Sequence, residues 1–374
     1  MKYELVENFR SKSNLVDFTN QFVARIHHRL KENPIIAKQT DNGKIKVVHY
    51  KSENLIEPLV KDILSAELRG SVCVLTYTND EALQVSGLLL KNGMPAKLIQ
   101  DNSGFCLLKL DEINFFLSRL HSVEDIFLID DDVWNQAKKE LQTVFQNSSK
   151  LESCLGLIRD FETINPKRRY KSDLELFIRE SKLNDFFGES GETIFVSTIH
   201  KVKGKEFDHV FLMLNNFNLS SDERIRQLYV AMTRARRELT IHLNSDFLDG
   251  LSSEAVEHIE DKNDYLPPEE LAIHLTHSDI WLDYFINRQP QIAQLRSGDT
   301  LYVRGDECLD GNGQSVLKFS RNFMSEHYER LHRQGYELKR AMVNFIVCWQ
   351  SEKVAKEIKI ILPELFFERK KISE

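Results

Sequence analysis

The chain has 374 residues, of which 41% are hydrophobic and 29% are charged, so it is long enough to bury the cores of two or three domains. Its formal net charge of −7 at pH 7 excludes a uniformly basic surface, and contacts with nucleic acid therefore have to come from local clusters of cations. The five cysteines lie far apart and form no CxxC pair, which argues against a zinc site and favours reduced thiols.

The N-terminal segment predicts a helix with an arginine just before it. Apolar residues repeat at helical spacing between residues 15 and 26, and Ser13 is the expected N-cap. This places Arg10 in a rigid turn at the start of the helix.

The next stretch alternates between strands and helices. The order predicts a parallel sheet with right-handed crossovers, and a helix end at Asn92-Gly93, where glycine can take the left-handed conformation. Asn79 or Asp80 is the expected cap of the second helix. The predicted elements are an edge or half-buried strand at 44–50, a helix at 53–68, a strand at 71–76, a helix at 81–91 and a strand beginning at 95.

Between residues 107 and 189 the pattern becomes helical, which predicts a helical insertion between strands of the sheet. The run 126–132 ends in three aspartates and imitates a magnesium-binding strand. We interpret it as an acidic helix cap, because no phosphate loop precedes it and helical patterns lie on both sides. The basic run 167–171 suits either a nucleic-acid backbone or a solvated loop.

Two basic loops, each joined to an apolar run, lie between residues 193 and 243. A strand at 193–199 leads into the first loop, and the apolar run 207–214 predicts a buried strand. A helix opens at Asp222, and a strand at 239–243 is expected to be the last of the sheet. Cations at the loops of a parallel sheet can bind phosphate.

The C-terminal part has a different texture. The polar segment 252–270 with Pro267-Pro268 predicts a linker, and the glycine-punctuated runs beyond it predict a small β-rich domain with one helix. Three aromatic residues, Trp281, Tyr302 and Trp349, suit stacking on bases, although packing in the core is the simpler expectation. The predicted domains are a sheet domain at 1–106 and 190–250, a helical insertion at 107–189, a linker at 251–270 and a C-terminal domain at 271–374.

Two motifs in the middle of the chain resemble a known family. Residues 198–207, read as T-x-H-x-x-K-G-x-E-F, resemble motif V of superfamily 1 helicases of the UvrD/Rep/PcrA type, and residues 229–236, YVAMTRAR, resemble motif VI. The segment 5–20 is similar to motif IV. The tail is similar to the segment after the UvrD-like motor in large bacterial proteins that join RecQ-type and UvrD-type helicase parts.

The resemblance implies the fold. It implies an α/β, RecA-like parallel sheet of the P-loop NTPase class without its P-loop half, followed by a small α+β C-terminal domain. The helical insertion then corresponds to a shortened form of the arm called 2B.

The resemblance also implies site residues. Arg10 and Arg234 match the two arginines that reach the terminal phosphate of ATP, and they are the predicted catalytic residues. With Gly204 and Glu206 they form the predicted nucleotide-binding set. The positions that match the DNA-facing residues of the family are Thr198, His200 and Lys203.

Phosphoryl transfer further requires a phosphate loop and a metal site. The pattern GxxxxGK[ST] is absent, since Gly204-Lys205 is followed by Glu206, and no metal ligands are predicted in this chain. The resemblance implies that an N-terminal P-loop motor domain, in the same or a companion chain, supplies both, with ATP and Mg²⁺ as cofactors.

We therefore expect the C-terminal half of an ATP-dependent DNA helicase, inactive alone, that contacts single-stranded DNA or a DNA junction. The alternative is a non-catalytic nucleic-acid-binding or protein-interaction scaffold that keeps the motor fold. No apolar run is long enough to span a membrane and no export leader opens the chain, so a cytoplasmic location is expected.

Overall fold

The computed structural model describes residues 6–26, 33–98, 106–120, 128–181, 193–202, 204–251, 256–350 and 357–370. The chain divides into two compact units, Met1–Asp101 with Gly191–Leu271, and Asn102–Ser190 with Ala272–Glu374. Most of the predicted helical insertion and of the predicted C-terminal domain thus belongs to the second unit. The domain boundaries drawn from the sequence stay a prediction.

The first unit is built on a seven-stranded sheet. Besides the short parallel pair β1 (Glu7–Asn8) and β2 (Ile36–Ala37), its strands are β3 (Lys44–Tyr50), β4 (Val72–Thr76), β5 (Ala96–Leu98), β6 (Ile194–Thr198), β7 (Phe207–Leu214), β8 (Ala235–Leu243) and β9 (Val256–Asp261). They lie in the order β5-β6-β4-β7-β8-β3-β9, and every adjacent pair is parallel. All of β4 and nearly all of β7 are buried, because helices cover both faces of such a sheet; hence their continuous apolar sequences.

Helices account for the rest of the regular structure in the first unit and for most of residues 102–190. In chain order the α-helices are α1 (Ser13–Val23), α2 (Ile56–Ser65), α3 (Asn79–Lys91), α4 (Asp111–Arg119), α5 (Asp131–Val144), α6 (Leu151–Ile164), α7 (Lys171–Glu180), α8 (Asp222–Met232), α9 (Gln289–Ile292), α10 (Arg321–Phe323) and α11 (Glu329–Arg333). Short 3₁₀ helices occupy Leu107–Lys109, His277–Asp279 and Leu282–Asn287, and a π-helix occupies Met324–Tyr328. Among the described residues, no helix combines the length and apolar character needed to cross a membrane.

The second unit carries a six-stranded sheet in the order β10-β15-β14-β11-β12-β13. The pairs from β15 through to β13 are antiparallel, which confirms the predicted α/β fold with a C-terminal β-rich part. The strands are β10 (Glu270–His274), β11 (Thr300–Arg304), β12 (Glu307–Leu309), β13 (Ser315–Lys318), β14 (Tyr336–Gln350) and β15 (Glu357–Arg369).

The helices of the second unit pack around a buried tryptophan. Trp134 is 1% exposed, and its ring lies 5.2 Å from that of Phe116 and 5.9 Å from that of Phe161. Asp130 caps α5 by accepting a hydrogen bond from the amide of Asp132 at 3.1 Å. The interpretation of this acidic run as a helix cap is confirmed for its described residues, whereas residues 126 and 127 lie outside them.

Two helix caps differ from the prediction. Ser13 is the first residue of α1 rather than its cap, and Lys12 precedes it without a side-chain cap. Helix α3 is capped by Thr78, which forms a reciprocal capping box with Glu81. Neither Asn79 nor Asp80 is needed there, because the hydroxyl and carboxylate already satisfy two of the free amides.

The edge of the large sheet also differs from the prediction. Strand β3 is interior, since it pairs with both β8 and β9, and β9 extends the sheet with residues that were expected to form a linker. Val256, Ile259 and Asp261 of β9 are partly buried, and its other three residues are exposed. Backbone pairing to β3, packing of Val256 against the core and stacking of His258 on His49 hold this strand. Its polar sequence is the reason why it was expected to form a linker.

Four polar side chains are linked inside the first unit. His242 is fully buried on β8; its Nδ1 lies 2.8 Å from the hydroxyl of Tyr50 and its Nε2 lies 3.2 Å from Oδ2 of Asp62. Lys46 donates to Oδ1 of Asp62 at 2.7 Å. Burial favours the neutral imidazole and lowers the pKa of His242, although Asp62 opposes the shift.

This burial predicts a pH-dependent stability. The pKa of His242 in the folded chain lies below its ordinary value of 6.5, so the unfolded state binds the proton first as the pH falls. The stabilisation is present above pH 6.5 and is lost below it, with a slope of up to about 1.4 kcal/mol per pH unit. We expect the free energy of unfolding, measured in urea between pH 7.5 and 5, to follow this slope.

The substitution His242→Leu should flatten this dependence, whatever its effect on stability at pH 7.5. His258→Leu, on the exposed edge strand β9, is the matched control and should retain the slope. An unchanged slope in His242→Leu would contradict the assignment.

Candidate functional site

A fixed turn holds Arg10 against the start of β8. Asn8 Oδ1 accepts hydrogen bonds from the amides of Arg10 and Ser11 at 2.8 and 3.0 Å. The hydroxyl of Ser11 donates to the carbonyl of Ala235 at 2.8 Å, and the amide of Lys12 donates to the carbonyl of Arg236 at 3.1 Å. The predicted rigid turn before α1 is therefore confirmed, although it does not depend on a Ser13 cap.

Glu206 joins two arginines. The Nε of Arg10 lies 2.6 Å from one carboxylate oxygen of Glu206, and the NH2 of Arg236 lies 3.2 Å from the other. Because the side chain of Arg10 is 40% exposed, water screens this pair, and its contribution to stability is small. The main effect of the Glu206 carboxylate is to orient the guanidinium groups of Arg10 and Arg236.

Arg234 is anchored differently, through backbone oxygens. It lies between the end of α8 and β8, where its Nε donates to the carbonyl of Val230 at 2.9 Å and its NH1 to the carbonyl of Lys205 at 3.1 Å. Burial and the positive charge of Arg10 lower the pKa of Arg234. Arg10 and Arg234 therefore contact two consecutive residues, Arg10 the carboxylate of Glu206 and Arg234 the carbonyl of Lys205.

Arg10, Glu206 and Arg236 line an open cleft of about 870 Å³. Its charged lining consists of four cations and three carboxylates: Arg10, Lys12, Arg236 and Arg237, with Glu7, Glu206 and Asp208. Two further residues that the sequence interpretation did not single out contribute to it. Phe9, next to Arg10, leaves its side chain 69% exposed, and Tyr229 lies on the α8 side. Phe9 is adjacent in sequence to the predicted site residue Arg10, and this adjacency was the available signal.

Gly204 lies in the connection between β6 and β7. Its φ of +85° belongs to the left-handed region, which favours glycine. No heavy atom lies within 4 Å of a Cβ built there, so space is not the constraint. Gly204 permits the turn that brings Lys205 and Glu206 to the amino end of β7.

The residues that were predicted to contact DNA belong to the other end of the sheet. Thr198 ends β6 and is only 5% exposed, whereas His200, two residues further on, is exposed. Lys203 falls outside the described residues. The predicted site residues therefore separate into two groups, with Glu206, Arg234 and their neighbours at the amino ends of β7 and β8, and Thr198 and His200 at the carboxyl end of β6.

A cluster of aromatic rings and one arginine lies beside His200. The ring of Tyr77, just after β4, is 6.0 Å from that of His200 and 5.0 Å from that of Phe217. The guanidinium of Arg224 lies 5.5 Å from the centre of the Tyr77 ring and 5.8 Å from that of Phe217. Sequence reasoning missed this cluster, because its members come from three separate connections and no local pattern joins them.

Two comparisons with known proteins bear on these sites. The family model of the UvrD-like helicase C-terminal domain matches residues 3–122 and 110–246. The RecBCD enzyme subunit RecB of Chlamydia pneumoniae is 33% identical over 101 residues, which make up 25% of this chain and 10% of that protein. The chain thus aligns with about a tenth of the length of this relative.

Solved structures give weaker similarities. The C-terminal domain of a possible DNA helicase from Lactobacillus plantarum WCFS1 aligns with 67% of this chain and 98% of its own, at 14% identity and a TM-score of 0.35. The arterivirus nonstructural protein 10, a helicase, aligns with 55% of this chain and 61% of its own, at 11% identity and a TM-score of 0.14. Since the family model covers well over half of the sequence, the chain belongs to the UvrD-like helicase C-terminal domain family.

Proposed function

We propose that this chain is the C-terminal motor half of an ATP-dependent DNA helicase or translocase. In this proposal Arg10 and Arg234 supply positive charge to the γ-phosphate of ATP. The phosphate loop and the Mg²⁺ ligands come from an N-terminal P-loop motor domain. The observation that carries the proposal is that Arg10 pairs with Glu206 at an open cleft, while Arg234 bonds to the carbonyl of the preceding residue, Lys205.

The chemistry of phosphoryl transfer explains why two arginines are useful. Charge spreads over the equatorial oxygens of the transferred phosphoryl group, and fixed guanidinium groups stabilise it in the transition state. Arg10 is oriented by Glu206 and Arg234 by two carbonyls, so little reorganisation is needed when a phosphate arrives. Glu206 and Gly204 complete the nucleotide contacts in this proposal, and the exposed ring of Phe9 is available to stack on a purine base.

The opposite end of the sheet is proposed to hold single-stranded DNA. His200, Tyr77 and Arg224 offer an imidazole, an aromatic face and a cation at the carboxyl ends of the strands, which is the combination that binds unstacked bases and backbone without reading sequence. Thr198 and Lys203 are the remaining proposed contacts. ATP-driven closure against the companion motor domain would then move the strand.

The alternative function, a non-catalytic scaffold, explains fewer features of the site. A non-catalytic module that keeps the fold has no need for two guanidinium groups, Arg10 and Arg234, close to a single carboxylate, Glu206. Burial is the main cause of the lowered pKa of Arg234, the positive charge of Arg10 adds to it, and Glu206 opposes it. The motor half is therefore the function that the geometry supports best.

The first prediction concerns ATP turnover. The chain alone, with a 20-nucleotide oligo(dT), should hydrolyse ATP at the background rate in a coupled steady-state assay. When a P-loop motor half that forms a complex with it is added, turnover should appear. Arg10→Ala or Arg234→Ala should then lower kcat by about 10³-fold, the usual effect of removing an arginine finger.

Arg226→Ala, on the exposed side of α8, is the matched control and should leave kcat unchanged. Robust turnover by the chain alone that Arg234→Ala abolishes would contradict the division of the site between two motor halves.

The second prediction concerns the charge of Glu206. Its carboxylate compensates both Arg10 and Arg236, so Glu206→Gln should raise the affinity of the isolated chain for inorganic tripolyphosphate. Removing one negative charge at contact distance from a solvated anion site corresponds to about 1 kcal/mol, or roughly a fivefold change in Kd. Isothermal titration calorimetry measures it, with Glu223→Gln on α8 as the control, and equal Kd values for Glu206→Gln and the wild type would refute the anion site.

The third prediction concerns the aromatic cluster. Tyr77→Ala should weaken binding of oligo(dT) by about tenfold, because stacking on one base contributes about 1–3 kcal/mol. Fluorescence anisotropy at several salt concentrations measures both the affinity and its salt dependence. Tyr302→Ala, an exposed tyrosine of the second unit, should have no effect; if both substitutions were silent, the strand would lie elsewhere.

A further inference from the structure

A second cleft lies within the second unit, outside the residues that the family model matches. Its volume is about 1070 Å³, which is enough for several side chains of a bound segment. Six apolar side chains contribute to its lining: Ile280, Trp281, Leu282, Phe319, Met324 and Trp349.

Trp281 is the main exposed feature of this cleft. Its amide donates to the carbonyl of Lys318 at 2.8 Å, so the backbone is fixed, yet 49% of the residue stays exposed. The ring lies 6.0 Å from that of Tyr284, and the ammonium of Lys318 lies 5.9 Å from its centre. The expectation that Trp281 packs in the core is therefore wrong. An exposed tryptophan on a fixed backbone is a usual anchor point of binding surfaces.

The lining also includes Met324 and Ser325, the first two residues of the π-helix Met324–Tyr328, which lies between α10 and α11. A π-helical turn is rare and costs hydrogen-bond geometry, and such turns frequently occur at functional sites. Here it includes Met324, whose unbranched side chain adapts to the shape of an apolar partner. The lining can therefore adapt in shape at Met324, whereas the backbone of Trp281 is fixed.

The charges of this cleft differ from those of a phosphate site. Lys318 lies 3.1 Å from Asp306 and 3.7 Å from Glu307, so its charge is compensated. Among the charged side chains of the lining, three are acidic and two are basic. A polynucleotide adds about one negative charge per residue and gains affinity by contact with cations, so this lining does not favour it.

We propose that this cleft binds a segment of a partner protein that carries a large apolar side chain next to a lysine or arginine. The apolar side chain inserts between Trp281 and Met324, where burial from water supplies the affinity. The neighbouring cation faces the exposed carboxylate of Glu329 at the rim of the cleft. This site is independent of the proposed motor function.

The test is a selection of phage-displayed dodecapeptides on the full chain, followed by anisotropy titration of the enriched peptide carrying a fluorescein label. The enriched peptides are expected to share an aromatic or aliphatic residue beside Lys or Arg. Trp281→Ala should weaken binding at least about tenfold, as for an anchor residue. Glu329→Lys, on the exposed rim, should weaken it about threefold or more.

Tyr302→Ala is the control, since this residue of the same unit is 59% exposed but lies outside the cleft lining, and it should leave the Kd unchanged. The proposal is overturned if no peptide is enriched, if the enriched peptides lack the apolar-basic pair, or if they bind Trp281→Ala as tightly as the wild type. Binding of oligo(dT) that depends on Trp281 would also overturn it and would identify a nucleic-acid surface instead.

Discussion

The parallel arrangement of the large sheet is the constraint on which both proposed sites of the first unit depend. When neighbouring strands run in the same direction, each connection has to return from the carboxyl end of one strand to the amino end of the next. The connection from β6 to β7 does so between His200 and Glu206. The carboxyl end of β6 and the amino end of β7 are offset by about six residues along the strands, or roughly 20 Å at about 3.3 Å per residue. A single eight-residue connection therefore joins the aromatic cluster around Tyr77, the proposed DNA-binding site, to the cleft beside Arg10, the proposed nucleotide site.

The same constraint explains how distant parts of the chain reach one cleft. The amino ends of β7 and β8 are adjacent, because Phe207 pairs with Ala235, so residues just before each strand meet there. Arg10 arrives from outside the sheet, and Ser11 and Lys12 bond to the first residues of β8. Two segments 224 residues apart thus bring guanidinium groups to the Lys205–Glu206 segment before β7, an arrangement that favours an incoming anion.

The sequence predicted those features that a local pattern of residues determines and missed those that depend on tertiary contacts. Strands β4 and β7 were predicted because burial on both faces demands apolar residues throughout. The edge strand β9 was missed because its polar and charged side chains suggest a linker, whereas its pairing with β3 and the packing of Val256 are tertiary contacts. The approach of Arg10 and Arg234 to each other was expected from the motifs. Neither the Glu206 bridge to Arg236 nor the Tyr77 cluster was expected, since both depend on tertiary contacts between connections.

Local charge balance gives the two clefts different chemistry within one acidic chain. The cleft beside Arg10 has four cations against three carboxylates in its lining, so an anion can replace Glu206 as the partner of a guanidinium group. The cleft beside Trp281 has an excess of carboxylates, and Lys318 is compensated there. Its cations are the compensated Lys318 and the exposed Arg321 against three carboxylates, so an anion gains little there, whereas an apolar side chain beside a cation gains both burial and charge complementarity. The net charge of −7 therefore does not determine which ligand either cleft favours.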